Sequence, residues 1–148
     1  MERNSRLEWV DGYHFEGYSH TGKKIRLDCW NDRENGEAGP TPAELVPMAL
    51  GACTGMDVIL IAGKMRIELT GFELEVKSLL TDEHPKVFTD FKLIYNMKGK
   101  DLDPEKIEHA VALSRDKYCI INNTLKMAAA ITHFYTINGG EPIEVPSL

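Results

Sequence analysis

The stretch TPAELVPMALGACTGMDVILIAGK, residues 41–64, decides the fold of this chain. Thr41 has the hydroxyl of a helix N-cap, Pro42 suits the first helical position, and Glu44 completes a capping-box pattern. Apolar residues follow on nearly every side of the helix, and a helix that is apolar all round is buried. The stretch therefore predicts one long helix at the centre of the fold.

A cysteine, Cys53, stands near the middle of this helix between two glycines, Gly51 and Gly55. Each glycine inside a helix costs about 1 kcal/mol relative to alanine. Two of them beside a thiol indicate either close packing of the helix at this point or access for something small.

The rest of the chain predicts strands and two further helices. We expect a hairpin around Asp11–Gly12, a strand over 23–30, a second hairpin over 71–99, helices over 103–118 and 121–130, and a strand over 131–137. Strands, helix, strands, helices and strand in this order indicate an α+β fold. The length of 148 residues predicts a single domain covering 1–148.

Composition excludes several classes of partner. The net charge of −6 argues against nucleic acid and against an anionic membrane surface. Residues 1–12 are polar and charged, so we expect no secretory signal there. Pro47, three glycines and Asp57 interrupt the most apolar stretch, 45–63, so we do not expect it to span a membrane. The chain is expected to be cytoplasmic.

The three cysteines, Cys29, Cys53 and Cys119, are odd in number and contain no CxxC or CxxH pattern. This argues against a disulfide framework and against a structural zinc site. The five histidines show no ligand spacing, so neither a metal nor a cofactor is expected. Cys29 falls in a predicted strand and is expected to be structural. Cys119 precedes the last predicted helix, where backbone N–H groups favour a thiolate.

The long helix and the second cysteine together resemble the osmotically inducible protein C and organic hydroperoxide resistance family (OsmC/Ohr). Pro42 and Cys53 are eleven residues apart, as in the helix signature of that family, and Cys119 lies where its second cysteine stands. The segment SRDKYCII, 114–121, resembles a less-studied OsmC-like branch. The resemblance covers essentially the whole chain.

This resemblance implies the OsmC fold, with antiparallel sheets packed around the long buried helix, in an intertwined homodimer whose two active sites lie at the interface. In such a dimer, Gly51 and Gly55 would let two central helices cross closely and leave a narrow slot to the sulfur.

The resemblance also implies a peroxidase with Cys53 as the reactive thiolate and Cys119 as the resolving thiol. A thiolate attacks the O–O bond, becomes a sulfenic acid, and condenses with the second thiol to a disulfide. An external dithiol then reduces the disulfide by exchange. The expected substrate is a small apolar hydroperoxide.

The chain departs from the family at the salt bridge that activates the thiol in the well-known peroxidases. The position of the glutamate is Ala43 here, and the position of the strand arginine falls near 28–29. Arg33, in the following loop, is a candidate replacement for the arginine, with a solvated loop charge as the alternative. Glu44, one residue late, is a candidate binding residue, with helix capping as the alternative.

Asp57 is the third candidate binding residue, because it follows Cys53 by one helical turn and projects near the thiol. An ionised carboxylate there disfavours a thiolate. Two other functions therefore stay open beside the peroxidase. One is a non-enzymatic dimer that binds a small apolar ligand beside Cys53. The other is a redox sensor or disulfide reductase that uses the same two thiols without peroxidase activity.

Overall fold

A computed structural model describes residues 2–29 and 39–146 of the chain. The chain forms two compact units, Met1–Val46 and Pro47–Leu148. A single domain over 1–148 stays a prediction. Arg33, one of the candidate site residues, lies outside the described residues.

The first unit contains a three-stranded antiparallel sheet in the order β1-β2-β3. Its strands are β1 (Arg6–Asp11), β2 (His14–Tyr18) and β3 (Lys24–Leu27). Gly12, at a φ of +44°, supplies the left-handed conformation that the tight turn between β1 and β2 requires. The predicted hairpin is therefore confirmed, while the strand expected over 23–30 is shorter.

The second unit contains a four-stranded sheet in the order β4-β5-β6-β7. Its strands are β4 (Leu69–Leu80), β5 (Phe88–Gly99), β6 (Ala130–Ile137) and β7 (Ile143–Glu144). β4 and β5 form the predicted hairpin, but β5 and β6 run parallel, so the expectation of purely antiparallel sheets is wrong. A parallel neighbour needs a crossover connection, and the helices between β5 and β6 supply it.

Within residues 2–29 and 39–146, the helical elements are three α-helices and one π-helical turn. They are α1 (Pro42–Lys64), α2 (Pro104–Leu113), the π-helical turn Ser114–Tyr118, and α3 (Ile120–Leu125). The Asp103 side chain caps α2 by accepting from the Glu105 N–H at 3.0 Å. The predicted break before Cys119 is confirmed, and α3 ends earlier than expected because the chain turns into β6.

One face of α1 is buried, and both glycines beside Cys53 lie on it. A Cβ at position 51 would lie 2.8 Å from Val76 Cγ2, and one at position 55 would lie 3.4 Å from Phe72 Cε1. The glycines therefore let α1 approach strand β4 of the same chain. A crossing of two α1 helices is not needed to explain them.

The opposite face of α1 is apolar and exposed, so the expectation of a helix buried on all sides is wrong for the single chain. Its large side chains are Met48, Met56, Ile59 and Leu60, between 51% and 70% exposed. The sequence pattern did not show this because both faces are equally apolar, and only one of them has a sheet to pack on.

By length and composition α1 is able to cross a bilayer, although 39% of its most apolar window is buried within this chain. The core helix of a soluble protein meets the same criterion. The expectations of no membrane partner and of a cytoplasmic location stay predictions.

A candidate two-cysteine site

Three side chains from two parts of the second unit meet at one point. The sulfurs of Cys53 and Cys119 and a carboxylate oxygen of Asp57 all lie within 4.8 Å of one another. Cys53 and Asp57 share one side of α1 because they are four residues apart. Cys119 is fully buried, whereas Cys53 and Asp57 are half-buried, so the cluster is reached from the side of α1. All three cysteines of the chain are free thiols.

The π-helical turn after α2 brings Cys119 to this point. The Cys119 N–H donates to the Ser114 carbonyl oxygen at 2.9 Å, a bond that spans five residues. Cys119 is then the N-cap of α3, and its sulfur accepts from the Asn122 N–H at 3.3 Å. Single π turns of this kind are frequent at functional sites.

Ser114 connects the end of α2 to α1 beside the thiols. Its hydroxyl lies 3.3 Å from both the Thr54 carbonyl oxygen and Asp57 Oδ2, and its proton is donated to one or the other. The Thr54 hydroxyl itself donates to the Leu50 carbonyl oxygen at 3.0 Å. Ser114 is fully buried, so its hydroxyl is held between the Thr54 carbonyl oxygen and the Asp57 carboxylate that lies next to Cys53.

A buried hydrogen-bonded chain supports α3 from the sheet. Tyr95 Oη lies 3.0 Å from His133 Nδ1, and His133 Nε2 lies 3.1 Å from Asn122 Oδ1. The Asn122 amide nitrogen donates to the Arg115 carbonyl oxygen at 2.8 Å, so Asn122 Oδ1 is an acceptor. His133 therefore carries its proton on Nε2 and accepts the Tyr95 hydroxyl proton at Nδ1.

Burial controls the protonation of this supporting chain. It lowers the pKa of His133 to about 4, with the Arg115 charge acting in the same direction, so the imidazole is neutral near pH 7. Burial likewise raises the pKa of Tyr95 above its ordinary value. Both protonation states fit the hydrogen bonds, which require a neutral histidine and a protonated tyrosine.

The two thiols differ in environment. Burial, followed by the hydrogen bond with the Cys53 side chain, raises the pKa of Cys119 to about 12, although the Asn122 N–H acts in the opposite direction. Cys119 therefore keeps its proton near neutral pH. This argues against Cys119 as the thiolate of the pair.

Glu44 lies at the helix start and serves as a cap. Its Oε2 accepts from the Thr41 N–H at 2.8 Å and from the Thr41 hydroxyl at 2.9 Å. The Thr41 N–H, and then the hydroxyl, hold the pKa of Glu44 below its ordinary value. The capping box is confirmed.

The strand position expected for an arginine holds a buried acid. Asp28 is 3% exposed, and one of its carboxylate oxygens lies 3.3 Å from His14 Nε2 and 2.6 Å from the Cys29 N–H. His14 Nδ1 lies 2.5 Å from Asp11 Oδ1. Directly after β3 the chain therefore places a carboxylate, next to an imidazole from β2, at the position where the resemblance implies an arginine.

Arg115, the arginine of the π-helical turn, makes its contacts away from the thiols. Its guanidinium binds the Asp116 carboxylate at 2.7 and 2.8 Å and donates to the carbonyl oxygens of Val145 and Pro146. It fixes the turn to the segment after β7.

Sequence reasoning missed Ser114, Tyr95 and Asn122. Tyr95 and His133 come close because β5 and β6 pair in parallel, with Tyr95 opposite Tyr135 and Leu93 opposite His133. No short motif contains this register. The pair Asn122–Asn123 next to Cys119 was a weak signal, because asparagine is a poor helix former that hydrogen-bonds to nearby backbone groups.

Comparisons with known proteins agree with this architecture. The family model described as OsmC-like protein matches residues 34–134. The chain is 35% identical over 133 residues to Protein YhfA of Escherichia coli K12, covering 90% of this chain and 96% of that one. A crystal structure of a hypothetical protein from Aquifex aeolicus VF5 is similar with a TM-score of 0.81 and 25% identity, covering 95% of this chain and 99% of that one. The organic hydroperoxide resistance protein OhrB of Bacillus subtilis shares the fold, with a TM-score of 0.65 at 19% identity. The match covers 92% of this chain and 98% of that one.

Proposed function

This chain belongs to the OsmC-like protein family, and on that basis we propose that it is a thiol-dependent redox protein that reduces organic hydroperoxides. Cys53 is the nucleophile and Cys119 is the resolving thiol. The single observation that carries the proposal is the approach of the two sulfurs to within 4.8 Å of each other. Two thiols this close join after a small movement, whereas distant thiols need a displaced backbone.

In the first step, the Cys53 sulfur attacks the distal oxygen of the hydroperoxide and the O–O bond breaks. The alkoxide leaves as an alcohol and takes up the proton that the thiol gives up. Cys53 becomes a sulfenic acid. The half-buried position of Cys53 and the full burial of Cys119 support this assignment of roles, because the substrate reaches Cys53 first.

In the second step, the Cys119 sulfur attacks the Cys53 sulfur, and the sulfenic hydroxyl leaves as water with the Cys119 proton. Cys119 holds that proton near neutral pH because its pKa is raised to about 12. The Asp57 carboxylate, within 4.8 Å of both sulfurs, is placed to carry the proton between them. An external dithiol then reduces the disulfide by exchange.

The exposed apolar face of α1 supports the proposal of a homodimer. A row of large apolar side chains with no cover in one chain is typical of a protein–protein interface. Met56 lies three residues from Cys53 on this helix, and Tyr118 and Ile120 flank Cys119; all three are exposed. A partner subunit over this face would enclose the thiols in apolar surroundings suited to an alkyl hydroperoxide.

The test is a dithiol-driven assay with tert-butyl hydroperoxide as substrate. We expect turnover by the parent chain and by Cys29→Ser, the matched control for a cysteine outside the cluster. Cys53→Ser should lose turnover. Cys119→Ser should reduce one equivalent of hydroperoxide per chain and then stop. Unchanged turnover in Cys53→Ser would refute the proposal.

A second candidate is a non-enzymatic dimer that binds a small apolar ligand in the same place. The observation that favours it is the Asp57 carboxylate beside Cys53, because an ionised carboxylate at this place disfavours the thiolate that a peroxidase needs. It predicts no turnover in the parent chain together with saturable binding of an apolar ligand that Met56→Glu weakens.

Reversible bridging of the thiols without turnover would instead indicate a redox sensor or disulfide reductase.

A further inference from the structure

We propose that Cys53, Asp57 and Cys119 form a binding site for a divalent cation of the zinc class in the reduced protein. The three donor atoms, two sulfurs and one carboxylate oxygen, lie within 4.8 Å of one another. In tetrahedral zinc sites the metal lies about 2.3 Å from sulfur and about 2.0–2.2 Å from carboxylate oxygen, so neighbouring donors are about 3.5–3.8 Å apart. A closure of about 1 Å therefore brings the donors to the spacing that an ion requires.

The donor set favours zinc over the harder cations. Thiolate sulfur binds zinc strongly, whereas magnesium and calcium prefer oxygen donors. Two thiolates and one carboxylate leave the fourth tetrahedral position to water. Solvent reaches Cys53 and Asp57, which are half-buried, whereas Cys119 is fully buried. The ion would therefore enter from the side of Cys53 and Asp57, with Cys119 as its innermost ligand.

Two contacts outside the donor set orient it. The Ser114 hydroxyl lies 3.3 Å from Asp57 Oδ2, within hydrogen-bonding distance, and can orient the carboxylate when it donates to it. The Asn122 N–H donates to the Cys119 sulfur at 3.3 Å, a contact that stabilises the charge of a thiolate. Contacts of this kind hold metal ligands in place and affect metal affinity by about 10–100-fold.

A cation at this place also accounts for the close approach of three acidic groups. In its reduced state the site gathers two thiols and a carboxylate, whose ionised forms repel one another. A divalent cation displaces the thiol protons to solvent, offsets that repulsion and stabilises both thiolates. The expectation of no metal site depended on the lack of a CxxC pattern, but the donors come from α1 and from the residue before α3, far apart in the chain.

Metal binding does not depend on peroxidase activity, because it requires only reduced thiols. The two uses of the thiols exclude each other, since a disulfide offers no thiolate to an ion. A chain that binds the ion without turning over hydroperoxide would therefore support this site and refute the proposed peroxidase. A chain that turns over hydroperoxide but does not bind the ion would support the proposed peroxidase and refute this metal site.

The probe is Co²⁺ added to the fully reduced protein without oxygen, followed by displacement with Zn²⁺. We expect one Co²⁺ per chain, thiolate-to-cobalt charge-transfer absorption, and the visible bands of tetrahedral cobalt. Cys29→Ser should match the parent chain. Cys53→Ala should lose the charge-transfer absorption, and Asp57→Asn should weaken Zn²⁺ binding at least ~10-fold.

Cys119 is buried, so Cys119→Ala can unfold the chain and is not used as a test. The test of the metal site therefore rests on Cys53→Ala and Asp57→Asn. Thermal unfolding checks that both variants are folded. Three results would overturn the proposal. They are absence of charge-transfer absorption in the reduced parent chain, retention of that absorption in Cys53→Ala, and unchanged Zn²⁺ affinity in Asp57→Asn.

Discussion

His133 Nε2 donates to Asn122 Oδ1 across 3.1 Å, and the backbone N–H of the same Asn122 donates to the Cys119 sulfur. One asparagine thus joins strand β6 to the buried thiol. The contact makes the position of Cys119 depend on a side chain of the sheet that does not touch the sulfur itself.

Replacing His133 should therefore destabilise the fold. His133→Ala leaves the Tyr95 hydroxyl and Asn122 Oδ1 without their partner and opens a cavity, so we expect a loss of about 3 kcal/mol in the free energy of unfolding. Urea unfolding measures it. The control is His109→Ala on the exposed side of α2, which should change stability by about 0.5 kcal/mol or less. Equal effects of the two substitutions would contradict the role given to His133.

Stability should also depend on pH through His133. Its pKa is lowered from an ordinary value of 6.5 to about 4, so the unfolded chain binds more protons than the folded chain between these values. Stability is therefore complete above about pH 6.5 and decreases by about 3 kcal/mol as the pH falls to about 4. Urea unfolding from pH 7 to pH 4 measures this loss, and His133→Gln should reduce its slope. A parent slope equal to that of His133→Gln would contradict the buried neutral histidine.

The close approach of α1 to β4 predicts opposite effects at two glycines. A Cβ at position 51 would lie 2.8 Å from Val76 Cγ2, so Gly51→Ala should destabilise the fold by about 1–3 kcal/mol. Gly63, on the same helix, has no atom within 4 Å of the corresponding point, so Gly63→Ala should stabilise by up to about 1 kcal/mol. Thermal unfolding of both variants is the measurement. Val76→Ala removes the methyl group that the new Cβ meets, so it should reduce the destabilisation caused by Gly51→Ala. Stabilisation by Gly51→Ala would show that this packing is wrong.

The exposed face of α1 predicts a change of oligomeric state. We expect the parent chain to sediment as a dimer and Ile59→Glu to sediment as a monomer, because a buried charge opposes the apolar contact. Lys106→Glu, at an exposed position of α2, reverses a charge outside this face and should leave the dimer intact. A monomeric parent chain would contradict the proposed homodimer.

Local patterns predicted much of the fold. The capping box at Thr41–Glu44, the turn at Asp11–Gly12 and the alternation in β4 and β5 depend on neighbouring residues, and all are present. The parallel pairing of β5 with β6 was missed because it depends on where the intervening helices return the chain. The exposed face of α1 was missed because it is about as apolar as the buried face.

For the candidate site, the sequence indicated the two cysteines and Asp57 but not what holds them. The spacing of Cys53 and Asp57 on one helix is local and could be predicted. Ser114 begins a π-helical turn and Asn122 lies in α3 just after it, and a π turn interrupts the 3.6-residue period on which sequence patterns depend.

The central claim is that Cys53 is oxidised first and that Cys119 resolves it. The most direct measurement is mass spectrometry of the reduced chain after one equivalent of tert-butyl hydroperoxide, followed by peptide mapping. The account predicts that the parent chain loses two hydrogens and yields a peptide pair linked through Cys53 and Cys119. In Cys119→Ser, Cys53 should instead gain one oxygen. An unmodified Cys53 in both chains, or a disulfide formed with Cys29, would contradict the account.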